Sequence, residues 1–109
     1  MSEASMSEED ANHVFRTKKK PKVSEKQIEQ ALVRRVKELG GICEKFTSPG
    51  RRAVPDRIVT LPGGRIVFVE CKAPGKRPTL TQVLDHERRR ALGCDVRVID
   101  SLEAARAFS

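Results

Sequence analysis

Apolar side chains recur at Ile28, Leu32, Val36 and Leu39 between charged and amide residues, a spacing that lines one face of a helix. Ser24-Glu25-Lys26-Gln27 in front of this stripe has the form of a capping box, and Gly40-Gly41 stops it. The period then changes. Residues 42–47, 57–61 and 65–72 are short stretches rich in β-branched and apolar residues, and Pro62-Gly63-Gly64 between the last two predicts a hairpin. Residues 66–69 are apolar without alternation, which suits a strand covered on both faces. A second capping signature at Thr79 to Gln82 opens a helix through Leu80, Val83, Leu84, Ala91 and Leu92, closed by Gly93. Residues 95–99 predict a last strand, and residues 101–107 a short helix capped by Asp100 or Ser101. The order α, β, β, β, α, β, α predicts an α/β fold, a mixed sheet of about four strands flanked by helices.

Residues 1–23 fall outside this pattern. They are acidic and serine-rich from Ser2 to Asp10 and basic from Arg16 to Lys22, with few large apolar groups, and predict a disordered tail ahead of one domain at residues 24–109. The whole chain has 109 residues, room for one small core. Its 22 Lys+Arg against 15 Asp+Glu give a net charge of +7, which favours a polyanionic partner such as nucleic acid. Four Phe with no Trp or Tyr leave no aromatic platform for single strands, so shape and charge should dominate recognition. No apolar run is long enough to span a membrane and the N-terminus is too polar for a signal peptide, so a soluble cytosolic protein is expected. Three widely spaced cysteines, Cys43, Cys71 and Cys94, suit reduced thiols rather than a disulfide or zinc framework.

Chemistry concentrates on the hairpin. Side chains alternate along a strand, so Phe68, Glu70 and Lys72 share one face and Val67, Val69 and Cys71 the other. With a three-residue Pro62-Gly63-Gly64 loop, Leu61 opposes Arg65 and Asp56 faces Glu70; with a two-residue Gly63-Gly64 loop, Asp56 opposes Cys71 instead. In the first register two carboxylates converge, and a hard divalent cation, Mg²⁺ or Mn²⁺ in its place, relieves their repulsion. Asp56, Glu70 and the Cys71 backbone carbonyl would hold it, and Lys72 would orient an attacking water and offset developing negative charge. The bland alternative is a Glu70–Lys72 ion pair at a strand end. Against it, the pair closes the most apolar segment of the chain, where charges are rare unless paired or functional.

Basic residues surround the acids. Ser48, Arg51, Arg52 and Arg57 flank Asp56, and Lys76 and Arg77 follow Glu70, an arrangement suited to DNA phosphates. Arg88, Arg89 and Arg90 cannot all face one way on a helix and read as solubility charge. His86, one turn beyond Gln82, could approach the same cleft but reads first as a surface histidine, and His13 lies in the tail.

Taken together, Val54-Pro55-Asp56-Arg57, Glu70-Cys71-Lys72, the Ser48-Pro49-Gly50-Arg51-Arg52 stretch, Pro78, Gln82 and the acids Glu25 and Glu29 of the first helix resemble the VRR-NUC family of the PD-(D/E)xK nuclease superfamily. The likeness runs from Ser24 to about Ser101 and is strongest for stand-alone phage domains. It implies a restriction-endonuclease-like core and a metal-dependent endonuclease acting on branched DNA, similar to Holliday-junction resolving homodimers. It also implies a glutamate from the first helix, for which Glu29, at the edge of the buried stripe, is favoured over Glu25, and a glutamine near the metal, here Gln82. A two-fold homodimer would supply the two sites needed to cut a symmetric junction. A flap or other duplex endonuclease, and a non-catalytic DNA-binding module, are the alternatives.

Overall fold

Ser24 and Gln27 exchange hydrogen bonds across the first turn of helix α1 (Glu25–Glu38), the serine Oγ accepting from the Gln27 amide and the glutamine side chain accepting from the Ser24 amide. The computed structural model describes residues 22–109. After α1 come β1 (Ile42–Lys45), β2 (Arg57–Leu61), β3 (Arg65–Cys71), α2 (Leu80–Ala91), β4 (Asp95–Ile99) and α3 (Leu102–Arg106). The tail expected over residues 1–23 lies outside the described residues except for Lys22 and Val23. Val23 already packs on the core, ahead of the serine cap.

The four strands lie in chain order, β1-β2-β3-β4, with antiparallel β1–β2 and β2–β3 pairs and a parallel β3–β4 pair. The parallel pair needs a crossover, and α2 supplies it. Gly41 makes the turn into β1 possible. A Cβ there would lie 2.5 Å from the Thr60 carbonyl oxygen, so no side chain fits between α1 and the sheet.

Ile28, Leu32 and Val36 on α1 are fully buried against Val59 and Leu61 of β2 and Val67, Val69 and Cys71 of β3, with Ala105 and Phe108 sealing the end. Each of these large side chains contributes about 1.5–3 kcal/mol of burial. The expectation that residues 66–69 are covered on both faces holds for only part of the run: Val67 and Val69 are buried, whereas Ile66 is exposed and Phe68 partly so. The first strand ends at Lys45 rather than residue 47, although the Phe46 N–H still bonds the Asp56 carbonyl at 2.8 Å in the same register.

The hairpin takes the three-residue loop. Leu61 pairs with Arg65, Val59 with Val67 and Arg57 with Val69, and both loop glycines adopt positive φ (Gly63 88°, Gly64 79°). Continued by one residue, this register sets Asp56 against Glu70 on the sheet face that α2 covers.

Candidate active site

Glu70 sits near the end of the central strand β3 and is 1% exposed. A residue of this type so deep in a protein needs partners, and its two oxygens differ in what they find. Oε2 accepts from the Gln82 side-chain amide at 3.2 Å and lies 3.7 Å from the Lys72 ammonium. Oε1 has no hydrogen-bond partner among the described residues. Burial and the adjacent Asp56 carboxylate push the Glu70 carboxyl up to about 8, with Lys72 offsetting part of the rise.

Asp56 is held by the hairpin itself. Its Oδ2 accepts the Cys71 backbone N–H at 2.9 Å, so the strand that carries Glu70 also aims the second carboxylate. Gln82 does two jobs. Its Oε1 accepts the Thr79 amide at 2.9 Å, completing the cap of α2, and this leaves its NH₂ end turned to Glu70. The capping role and the site role expected from the family are therefore one conformation.

The residue types fit a hard divalent cation. Two carboxylates crowd together at a strand end, one oxygen is buried and unpartnered, and a backbone carbonyl follows Glu70 directly. Asp56, Glu70 and the Cys71 carbonyl are the groups that would hold it. Among the described residues no third His, Cys, Asp or Glu side chain completes a metal cluster, so main-chain oxygen and water would fill the remaining positions.

The first helix brings two acids to this end of the sheet. Glu29 is engaged by Arg57 at 3.1 Å on the α1 side of the sheet. Glu25, one turn earlier, is the helix acid whose charge reaches Asp56 and Glu70. Its own carboxyl is raised, by burial first and then by Asp56 and Glu29. Glu29 is thus the ion-pair partner of a β2 side chain that points away from the acidic pair, and Glu25 the first-helix acid whose charge acts on that pair. Arg57, expected to meet DNA phosphate, is paired with Glu29 and largely buried.

The remaining basic residues fall in two places. Ser48, Arg51 and Arg52 line a cleft of about 310 Å³ with Phe46, Thr47, Val54 and Asp56, directly beside the acids. Lys76 and Arg77 line a separate cleft of about 330 Å³ with Gly75, Pro78, Val98 and Asp100.

Four residues were misjudged on pattern alone. His86 is 1% exposed, not a surface histidine, and its Nε2 lies 3.7 Å from Glu70 Oε1. Arg88 and Arg89 are not mere solubility charge. They bind the buried Asp85 carboxylate at 3.0 and 2.8 Å, Arg51 approaches the same group at 3.8 Å, and Arg89 stacks near Phe46 and Phe68. Arg90 caps the Val96 carbonyl at 2.7 Å. The helical period of His86 with Gln82, four residues apart, was the available signal.

Asp85 thus ties the cleft loop to α2. Burial tends to raise its carboxyl, but the bonds from Arg89 and Arg88 outweigh this and hold it below the ordinary aspartate value of 3.8. Its contribution is present above that value and lost as pH falls through the lower folded value. Asp85→Asn is expected to cost about 1–3 kcal/mol near neutrality. In urea denaturation the gap from wild type should shrink below pH 3.8; an unchanged gap would mean the aspartate charge is not what stabilises.

No protein-family model matches the chain. It is 57% identical over 79 residues, 72% of this chain and 85% of the other, to "Putative nuclease p44" of Acyrthosiphon pisum secondary endosymbiont phage 1. It is also similar to a solved structure described as "VRR_NUC domain", with a TM-score of 0.71, 35% identity, and coverage of 74% of this chain and 88% of that one. Both matches span most of the partner's length, and the four-stranded αβββαβα architecture is shared, so the chain belongs to the VRR-NUC family of nucleases.

Proposed function

We propose that this protein is a divalent-metal-dependent endonuclease that hydrolyses phosphodiester bonds in branched DNA, with four-way junctions as its substrate. The observation that carries the chemistry is the convergence of Asp56, Glu70 and Lys72 at one end of the β2–β3 hairpin, with Glu70 buried and one of its oxygens unpartnered. Such a site, of no use to packing, suits a cation and a scissile phosphate.

Asp56, Glu70 and the Cys71 carbonyl would hold Mg²⁺, or Mn²⁺ in its place, which when bound lowers the pKa of water and offsets charge on the phosphate. Lys72 then faces the reacting centre from the same strand face as Glu70 and orients the attacking water. Glu25 adds negative charge at the edge of the site, and Gln82 keeps the Glu70 carboxylate in one rotamer. Ser48, Arg51 and Arg52 line the cleft that would take the DNA backbone, and Lys76 and Arg77 would extend the track past the end of β3.

A symmetric four-way junction calls for two sites. A two-fold homodimer would supply them, and edge strand β4 with Val98, together with the outer face of α2 where Leu80 and Leu84 stand exposed, offers apolar surface for it.

The test is incubation of the protein with a labelled four-way junction, flap, splayed arm and linear duplex in Mg²⁺, Mn²⁺ or EDTA. Nicking near the junction centre is expected with either metal and none with EDTA. Binding without nicking in any metal would sink the nuclease reading, and equal cutting of linear duplex would sink the branched substrate.

A further inference from the structure

We propose that His86 is a positioning residue for the Glu70 carboxylate, donating from Nε2 to Oε1 as Gln82 donates to Oε2. The inference rests on the metal-dependent reading above. Gln82 and His86 stand one turn apart on the face of α2 that covers β3, and each approaches a different oxygen of the same carboxylate. At 3.7 Å the His86–Glu70 approach is beyond hydrogen-bond range, and a shift of about 0.8 Å would close it. Neither atom has another partner: among the buried side-chain nitrogens and oxygens of the described residues, Glu70 Oε1 and His86 Nε2 are the two left without one.

That coincidence decides between roles. An apolar side chain would fill this space without leaving a nitrogen unsatisfied, so packing does not account for an imidazole here. An ionised Glu70 does account for it, since a carboxylate oxygen has two lone pairs and Oε1 can accept from His86 with one while the other faces a cation. A carboxylate that serves as a ligand carries its charge into a buried site, and donors on its flanks fix its plane and its rotamer. With the amide end of Gln82 set by the Thr79 cap and the imidazole set by its place on the same helix, α2 becomes a two-pronged support for the carboxylate.

The experiment compares wild type, His86→Leu and His86→Gln by calorimetric titration with Mn²⁺, and by four-way junction binding in EDTA. His86→Leu is expected to weaken Mn²⁺ binding by roughly 10–100-fold. His86→Gln, which keeps a donor, should recover most of it, and junction binding in EDTA should be the same for all three. Mn²⁺ affinity unchanged in His86→Leu overturns the proposal. Should that variant fail to fold, nitrogen NMR of the wild type saturated with Mg²⁺ decides: Nε2 must carry the proton, and a bare Nε2 overturns the role. A wild type that binds no Mn²⁺ overturns the metal-dependent reading itself, a different result from a wild type that binds and a leucine variant that binds equally well.

Discussion

Lys72→Ala is expected to slow junction cleavage by at least about 10²–10³-fold, the usual cost of losing one charge-stabilising donor from a site where charge develops. Junction binding in EDTA should change little. The Lys72 side chain is only 16% exposed and its ammonium lies 3.7 Å from Glu70, so it faces the acids more than it faces the surface that would meet a DNA backbone. Single-turnover cleavage and a gel-shift titration separate the two effects. Cleavage at the wild-type rate would show that Lys72 merely offsets the buried charge of Glu70.

Glu70→Gln should act in opposite directions on activity and stability. Cleavage should fall below detection, since a neutral amide neither attracts a cation nor supplies an anionic ligand. The metal-free protein, by contrast, should gain stability in alkaline buffer. Burial first and Asp56 second raise the Glu70 carboxyl from 4.5 to about 8. A raised folded value means that the stabilising, protonated form is fully present below 4.5 and is lost as pH climbs through about 8. Wild type in EDTA should therefore weaken across that window, while the glutamine variant, of the same shape and without the charge, should not. The gap at the alkaline end should be about 1–3 kcal/mol in favour of the variant. Thermal melts in EDTA at both ends of the window read it, and a variant less stable than wild type at the alkaline end would refute the buried-charge argument. That pattern would be a stability cost maintained for function.

The two predictions share a cause that was half legible in the chain. Pro55-Asp56 and Glu70-x-Lys72 can be recognised from residue types and alternation, but alternation alone allowed two hairpin registers. Gly63 and Gly64 both take positive φ after Pro62, which gives the three-residue loop and pairs Leu61 with Arg65. A slip by one would have sent Asp56 to the opposite sheet face.

Other features were not legible in the chain for a related reason. Glu25 and Glu29 lie one turn apart and both border the apolar stripe of α1, so helical spacing could not rank them. Arg57, a β2 side chain on the α1 face, takes Glu29 and leaves Glu25 nearer the acids. His86 and Arg88 to Arg90 look polar and solvated in a helix of low mean hydropathy, yet α2 presses Asp85 and His86 onto the sheet. A polar residue on a helix face signals exposure only when nothing polar waits opposite, and here Glu70 does.

The sequence by itself determined the seven elements, the caps of α1 and α2, the sheet of four strands and the kinds of group available for chemistry, because periodicity and capping are written within segments of about a dozen residues. Only the tertiary structure decided which helix acid approaches the carboxylate pair, which arginines are already taken and which histidine is buried. Those outcomes depend on α1 and α2 packing on opposite faces of one sheet, so that residues far apart in the chain share a dry environment where each unpaired charge or donor is costly.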